Sequence, residues 1–153
     1  MKAKKNWMAD KMARNNRVAV QGDLTGDIHF DVIRKDDRSI PFLRVYMMIN
    51  GSNGAGEVRG LRVMFYGLLA EEAEAHLQKG SRIEVEGHLQ IRRVPDEGVS
   101  VEVVAEDVDY IRNITWERGS KRLAEMEAAG KKRPKLNPVE DFYPVSLPVS
   151  VPA

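Results

Sequence analysis

The chain has no cysteine. That excludes disulfides and thiolate metal sites and fits a reducing compartment. No apolar run approaches the length of a membrane-spanning helix. The first residues, MKAKKNWMADKMARNNR, are basic but lack the continuous apolar segment of a secretory signal. The expected setting is the cytoplasm, with no membrane partner. Histidine is scarce, and His29, His76 and His88 show no metal-ligand spacing. There is no GxSxG, P-loop or HExxH pattern. The glycine-rich run from Gly51 to Gly56 lacks the Lys-Ser/Thr of a phosphate loop, and the acidic pairs Asp36-Asp37 and Asp96-Glu97 fall in predicted turns. The sequence therefore predicts neither an enzyme nor a cofactor.

Net charge is also nearly absent, at +1 over 153 residues, but it is unevenly spread. Residues 1–17 carry +5, residues 112–153 carry +3, and residues 18–111 carry −7. Basic ends flank an acidic middle. A phosphate backbone rewards local positive charge, so any nucleic-acid contact must come from particular arginines and from the two ends.

The middle of the chain reads as β. Val18, Val20, Gly22 and Leu24 alternate with polar residues, Thr25-Gly26-Asp27 supplies turn chemistry, and Ile28, Phe30 and Val32 resume the strand. Lys35 to Ser39 is a predicted hairpin tip, and residues 40–49 and 58–66 are the next strands, separated by the loop from Asn50 to Gly56. Leu69, Ala73 and Leu77 then recur every fourth residue, as on one face of a helix, and Gly80 suits a left-handed helix end. Ile83, Val85, Gly87, Leu89 and Ile91 alternate with polar residues and predict a long strand with one buried face. After a turn at Pro95 to Gly98, Val99, Val101, Val103 and Ala105 form the last strand, running towards Tyr110 and Ile111. Five strands, the first bent, with one helix between the third and fourth, match an all-β, five-stranded Greek-key OB-fold barrel over residues 17–111. Residues 1–16 read as a basic arm. Residues 112–153 read as an appendage: a helix from Trp116 to about Ala129, stopped by Gly130, then a basic run and a proline-rich tail. Trp7 and Trp116 are expected to pack on the barrel.

Strand parity separates two faces. Aliphatics share one; the other carries Arg44, Arg62 and Arg92 interleaved with Phe42, Tyr46 and Tyr66. Arginines pair with phosphates, and aromatic rings stack on unpaired bases. Glu84 and Glu86 lie on the same outer parity and oppose phosphate.

The order of residues resembles the bacterial single-stranded DNA-binding protein family. Asn16, Val18, Val20, Gly22, Leu24 and Asp27 fit its first-strand pattern. Residues 62–71, RVMFYGLLAE, resemble its Val-x-Phe-Gly-x-Leu-Ala-Glu segment, and residues 77–89, LQKGSRIEVEGHL, its Leu-x-Lys-Gly-x-x-Val-x-Val-Glu-Gly-x-Leu segment. The resemblance implies an OB-fold, sequence-tolerant binding of single-stranded DNA in replication, recombination or repair, a nucleoid-associated location, and a homo-oligomer, dimer or tetramer. Tyr66 stands at a family stacking position, and Arg62 and Arg92 stand where the family often has basic residues. The family's strand tryptophans are replaced by Gly51, Gly60 and Val94, and its acidic C-terminal peptide is missing. Together, parity and resemblance predict a DNA-binding set of Arg34, Phe42, Arg44, Tyr46, Arg59, Arg62, Tyr66, His88, Arg92 and Arg93, with a protein partner for the C-terminal tail. The alternative is a structural OB subunit that mediates assembly, favoured by the acidic middle and the missing tryptophans.

Overall fold

The computed structural model describes residues 16–49 and 60–131. The N-terminal arm, the loop at residues 50–59 with Arg59, and the proline-rich tail lie outside the described residues. The elements are β1 (Val18–Leu24), β2 (His29–Lys35), β3 (Arg38–Ile49), β4 (Leu61–Tyr66), α1 (Leu68–His76), β5 (Arg82–Val94), β6 (Gly98–Arg112) and α2 (Trp116–Ala128).

The strands run β1-β5-β6-β4-β3, and β1 pairs again with β3, closing a ring of five. β4 and β6 are parallel; the other ring pairs are antiparallel. With α1 between β4 and β5, this is the OB-fold the sequence predicts. The predicted bent first strand is broken at the Thr25–Ile28 turn. Its second half, β2, forms a hairpin with the outer half of β3, and Asp36 takes a positive φ at the tip.

The barrel is filled as parity requires. Leu43, Val45, Met47, Val63, Phe65, Ile83, Val85, Val103 and Ala105 are fully buried, and α1 closes one end with Leu69, Ala70 and Ala73. α1 ends at His76, earlier than the glycine signal suggests; Gly80, at φ +87°, belongs to the turn that follows. The long strand departs from its predicted single buried face. Ile83 and Val85 are buried, but Leu89 is exposed and Ile91 is 74% exposed. A register shift between Glu86 and Gly87 bends β5 against β6, and beyond it the hairpin leaves the barrel. Alternation fixes which side chains share a face, but not whether anything lies over that face.

The second helix is docked by the first. Helix C-termini leave carbonyls without intrahelical partners. Here the Arg118 Nε donates to the Ala75 carbonyl at 2.8 Å, and its Nη2 donates to the Glu74 and Leu77 carbonyls, each at 3.0 Å. Just before α2, Thr115 donates its hydroxyl to the Ala75 carbonyl at 2.6 Å rather than capping its own helix. The buried His76 ring stacks on Tyr110 with centroids 4.3 Å apart, and Trp116 meets both rings edge-on. Trp116 thus packs on the domain, as expected. α2 can approach this closely because residue 119 is glycine: a Cβ there would lie 2.2 Å from His76 Cδ2. Gly119→Ala is therefore expected to undock α2 and leave the barrel folded. Limited trypsin digestion would then cut at Lys121 and Arg122 ahead of any barrel site. Equal protection in variant and parent would refute this account of the docking.

Candidate functional site

The β3–β4 pairing sets Phe42 opposite Tyr66, Arg44 opposite Met64 and Tyr46 opposite Arg62. These three pairs lie on the face turned away from the barrel core. The parallel pairing of β4 with β6 sets Val63 beside Val103 and Met64 beside Val104, which brings Arg62 next to Glu102. β5 adds Gln90, which pairs with Glu102, and Arg92, which pairs with Ser100. β2 folds over the opposite side and contributes His29 and Ile33. The result is a groove of ≈ 270 Å³ on the outer sheet, lined by these side chains with Phe42, Arg44, Met64 and Tyr66. A small apolar cluster of Met64, Tyr66 and Val104, with Ile33, Ile40 and Phe42 against it, underlies one part. The arginines line the remainder.

The floor of the groove is Glu102, which is 1% exposed. Its Oε2 lies 2.9 Å from the Arg62 Nε and 3.8 Å from the Arg92 Nη1. Its Oε1 accepts from the Gln90 Nε2 at 3.2 Å. The Arg62 contact is an ion pair without hydrogen-bond alignment: neither Arg62 Nε nor Glu102 Oε2 has a hydrogen-bond partner. Burial pushes the Glu102 carboxyl above its ordinary range, with Arg62, Arg92 and the Gln90 amide working against that rise. Burial likewise holds the Tyr66 hydroxyl well above the usual tyrosine range, and the Glu102 charge adds to it, so Tyr66 stays a neutral phenol. Arg62 and Arg92 are about one-fifth exposed, at 20% and 21%, and so reach solvent over the carboxylate. Arg44 reaches the Asp27 carboxylate at 3.3 Å and lies 5.6 Å over the Tyr46 ring.

Of the predicted residues, the groove gathers Phe42, Arg44, Arg62, Tyr66 and Arg92. Tyr46 is on the same face but buried, with Arg44 above it. Arg34 is exposed on β2 and donates to Ser39 Oγ at 3.3 Å, off the groove. His88 corrects the expectation of an outward ring. It is 1% exposed, and its Nδ1 lies 2.6 Å from the Glu106 Oε2, because the β5–β6 irregularity places Glu106 against it. Arg93 pairs with Val99, so it shares the hairpin's other face with Ile91 and Val101. Glu84 and Glu86 do not line the groove; they sit before the bend, opposite Asp109 and Asp107. The acid that faces the arginines is Glu102, which sequence reasoning missed along with His29, Ile33, Met64 and Gln90. Parity alone puts Glu102 on the outer face with Ser100 and Val104; only the parallel β4–β6 pairing puts it under Arg62.

Glu102 also gives the fold a pH dependence with a definite sign. Its folded value is raised, so in the window above the ordinary carboxylate range the folded chain holds a proton that the unfolded chain does not. Its contribution to stability therefore grows as pH falls through that window and is lost as pH rises through the folded value. Asp23 acts oppositely. The hydrogen bond from Arg82 holds its carboxyl below the ordinary range, so its contribution is lost only as pH falls through that lowered value. Glu102→Gln is expected to raise the melting temperature at pH 8, with the difference from the parent shrinking by pH 5. The two arginines are partly exposed, so the variant does not strand buried charges. Thermal melts at the two pH values check this, and a variant that melts lower at pH 8 would contradict it.

Residues 15–111, more than half of the chain, match the single-strand binding protein family. No protein of curated description matches the chain. Among solved structures, the chain is 17% identical to the SSB domain of a Synechococcus sp. protein, covering 61% of this chain and 92% of that one, with a TM-score of 0.47. It is 25% identical to the second single-stranded DNA-binding protein of Mycobacterium smegmatis, covering 63% and 86%, with a TM-score of 0.49. It is 27% identical to the single-stranded DNA-binding protein of Thermus aquaticus, covering 64% of this chain and half of that one, with a TM-score of 0.48.

Proposed function

The chain belongs to the single-strand binding protein family, and from that premise we propose that it binds single-stranded DNA through the outer groove, without sequence reading and without catalysis. The observation that carries this reading is the groove itself. Three guanidiniums, from Arg44, Arg62 and Arg92, converge beside the rings of Phe42 and Tyr66 in one concavity. A nucleotide needs both parts: a cation for the phosphate and an apolar, flat wall for the base. Hydrogen-bond readout of base edges is not required, because every base has a stackable face. Arg34 and Arg93 are exposed outside the groove, and the charge of Arg59 and of the basic ends of the sequence adds salt-sensitive attraction to a phosphate backbone. The roles in replication, recombination or repair follow from the family.

Titration of the full chain with fluorescent oligothymidylate at two salt concentrations tests this. Binding is expected at low salt, weakening as salt rises. Absence of binding at low salt, or equal affinity for duplex, refutes it.

A second reading, assembly of OB subunits into an oligomer, draws on a different observation. Leu89, Ile91, Val99 and Val101 are exposed on one face of the β5–β6 hairpin, with Ile91 directly opposite Val101. If Ile91→Ser with Val101→Ser lowers the mass in light scattering while Tyr66→Ala and Arg62→Ala leave DNA binding intact, this second reading gains.

A further inference from the structure

The groove holds its own anion. Glu102 occupies the position between Arg62 and Arg92 that a phosphate on those arginines would approach. Its carboxylate is almost wholly buried, and in the free protein its charge is balanced by the two guanidiniums and the Gln90 amide. Among the described residues, no other acid lines the groove. A phosphate drawn to Arg62 and Arg92 both shares their charge and sets a second negative charge near the first. Two anions over one pair of cations in a poorly solvated place cannot both keep full charge cheaply, and the one that can shed it is the carboxylate. The phosphodiester, a strong acid, stays ionised.

We propose that Glu102 is the groove's internal competitor for its arginines, and that single-stranded nucleic acid binds there together with one proton, taken from solvent onto the Glu102 carboxylate. This rests on the groove being the nucleic-acid site. The protonated acid can then donate to the Gln90 side-chain oxygen or to the ligand, and both arginines are released to the phosphate. The rise in the Glu102 carboxyl already caused by burial places this uptake nearer neutral pH than an ordinary carboxylate allows. Reciprocity follows: if ligand raises proton affinity, protons raise ligand affinity by the same factor.

The other titratable and charged groups around Glu102 are assigned to each strand. β4 presents Arg62 and Tyr66, β5 presents Arg92, β3 presents Arg44 and β2 presents His29. The His88–Glu106 pair lies outside the groove lining, on β5 and β6. Burial raises the Tyr66 phenol, which therefore stays protonated over the pH range of the experiment. His29 also lines the groove, so a His29 variant serves as the control.

The experiment is oligothymidylate binding by the full chain at fixed salt between about pH 5.5 and 8, with calorimetry in two buffers of different ionisation enthalpy to count protons. The parent, Glu102→Gln and His29→Gln are compared. The expected result is a several-fold gain in parent affinity on acidification, never above tenfold per pH unit since one proton is involved. Proton uptake should persist in His29→Gln and disappear in Glu102→Gln. Parent binding with no proton uptake overturns the proposal and leaves the binding function standing. Equal uptake in parent and Glu102→Gln, or loss of uptake in His29→Gln, also overturns it. Absence of binding at every pH overturns the binding function and this proposal together. If Glu102→Gln fails to fold, the parent and His29→Gln still decide by uptake or its absence.

Discussion

The double variant Arg62→Gln, Arg92→Gln is expected to bind oligothymidylate on the order of a hundredfold more weakly than the parent at low salt. A hydrogen bond to a charged group contributes about 1.5–3 kcal/mol, and about 1.4 kcal/mol is a factor of ten. Two such contacts therefore amount to roughly tenfold each or somewhat more. The salt dependence supplies a second, independent reading. On single strands each neutralised phosphate contributes about 0.7 to the logarithmic slope, so the slope should flatten by about 1.4. Glutamine is preferred to alanine because Glu102 is buried beneath both arginines. Alanine would leave that carboxylate without a partner, and a fall in stability would imitate a fall in affinity. Glutamine removes the charge but retains an amide donor, and a thermal melt of the variant separates a fall in stability from a fall in affinity. Fluorescence titrations at several salt concentrations give both quantities. An unchanged slope would remove these two arginines from the interface.

The largest effect on stability is expected at Gly87. A Cβ at this position would lie 1.9 Å from the Val104 carbonyl oxygen and 2.9 Å from its carbonyl carbon. Both obstructing atoms are backbone, so no rotamer change relieves the clash. β5 is held on both sides here, with Gly87 opposite Val18 of β1 and Ala105 of β6, next to the register shift that bends the strand. Any shift must therefore pass into two ring partners. Gly87→Ala is expected to cost about 3 kcal/mol or more, which for a domain of this size lowers the melting temperature by roughly 10 °C. The neighbouring Glu86→Ala, at an exposed position, should stay within about 0.5 kcal/mol of the parent. Thermal or urea unfolding of the pair checks the contrast. Equal melting temperatures would mean that the close approach of β5 and β6 places no demand on residue 87.

Parity makes much of the candidate site legible from the sequence. Phe42, Arg44, Arg62 and Tyr66 alternate with Leu43, Val45, Val63 and Phe65, so a filled barrel must turn the first group outward. Their gathering into a groove depends on strand neighbours that are distant in sequence. Arg62 meets Glu102 because β4 and β6 run parallel at the closure of the ring, and Gln90 joins them from β5. Nothing in the local pattern of β6 marks Glu102 as different from the exposed acids around it.

The same limit explains where the alternation of the long strand misleads. Leu89 and Ile91 have the parity of Ile83 and Val85, yet they are exposed because the bend at Gly87 carries the hairpin out of the barrel. His88 is buried for a related reason, since the extra residue in β6, Glu106, turns against it. The α2 docking is likewise only half readable. A helix at Trp116 with a glycine stop follows from local signals, but the use of Arg118 to cap α1 needs the two helices to be neighbours.

The sequence by itself determined the local alternation and therefore the identity of the strands, the single helix between β4 and β5, and the two faces of the barrel sheet. These are short-range properties, set by side-chain period, turn residues and caps. Only the tertiary structure decided which outward residues share a groove, that Glu102 lies beneath Arg62 and Arg92, and that the acids of repulsive parity, Glu84 and Glu86, do not line it. Those outcomes depend on strand order, parallel closure and one bend, which fix distances between residues far apart in the chain. Charge interactions fall with distance and strengthen with burial, so the electrostatic character of the site emerges only once the barrel closes.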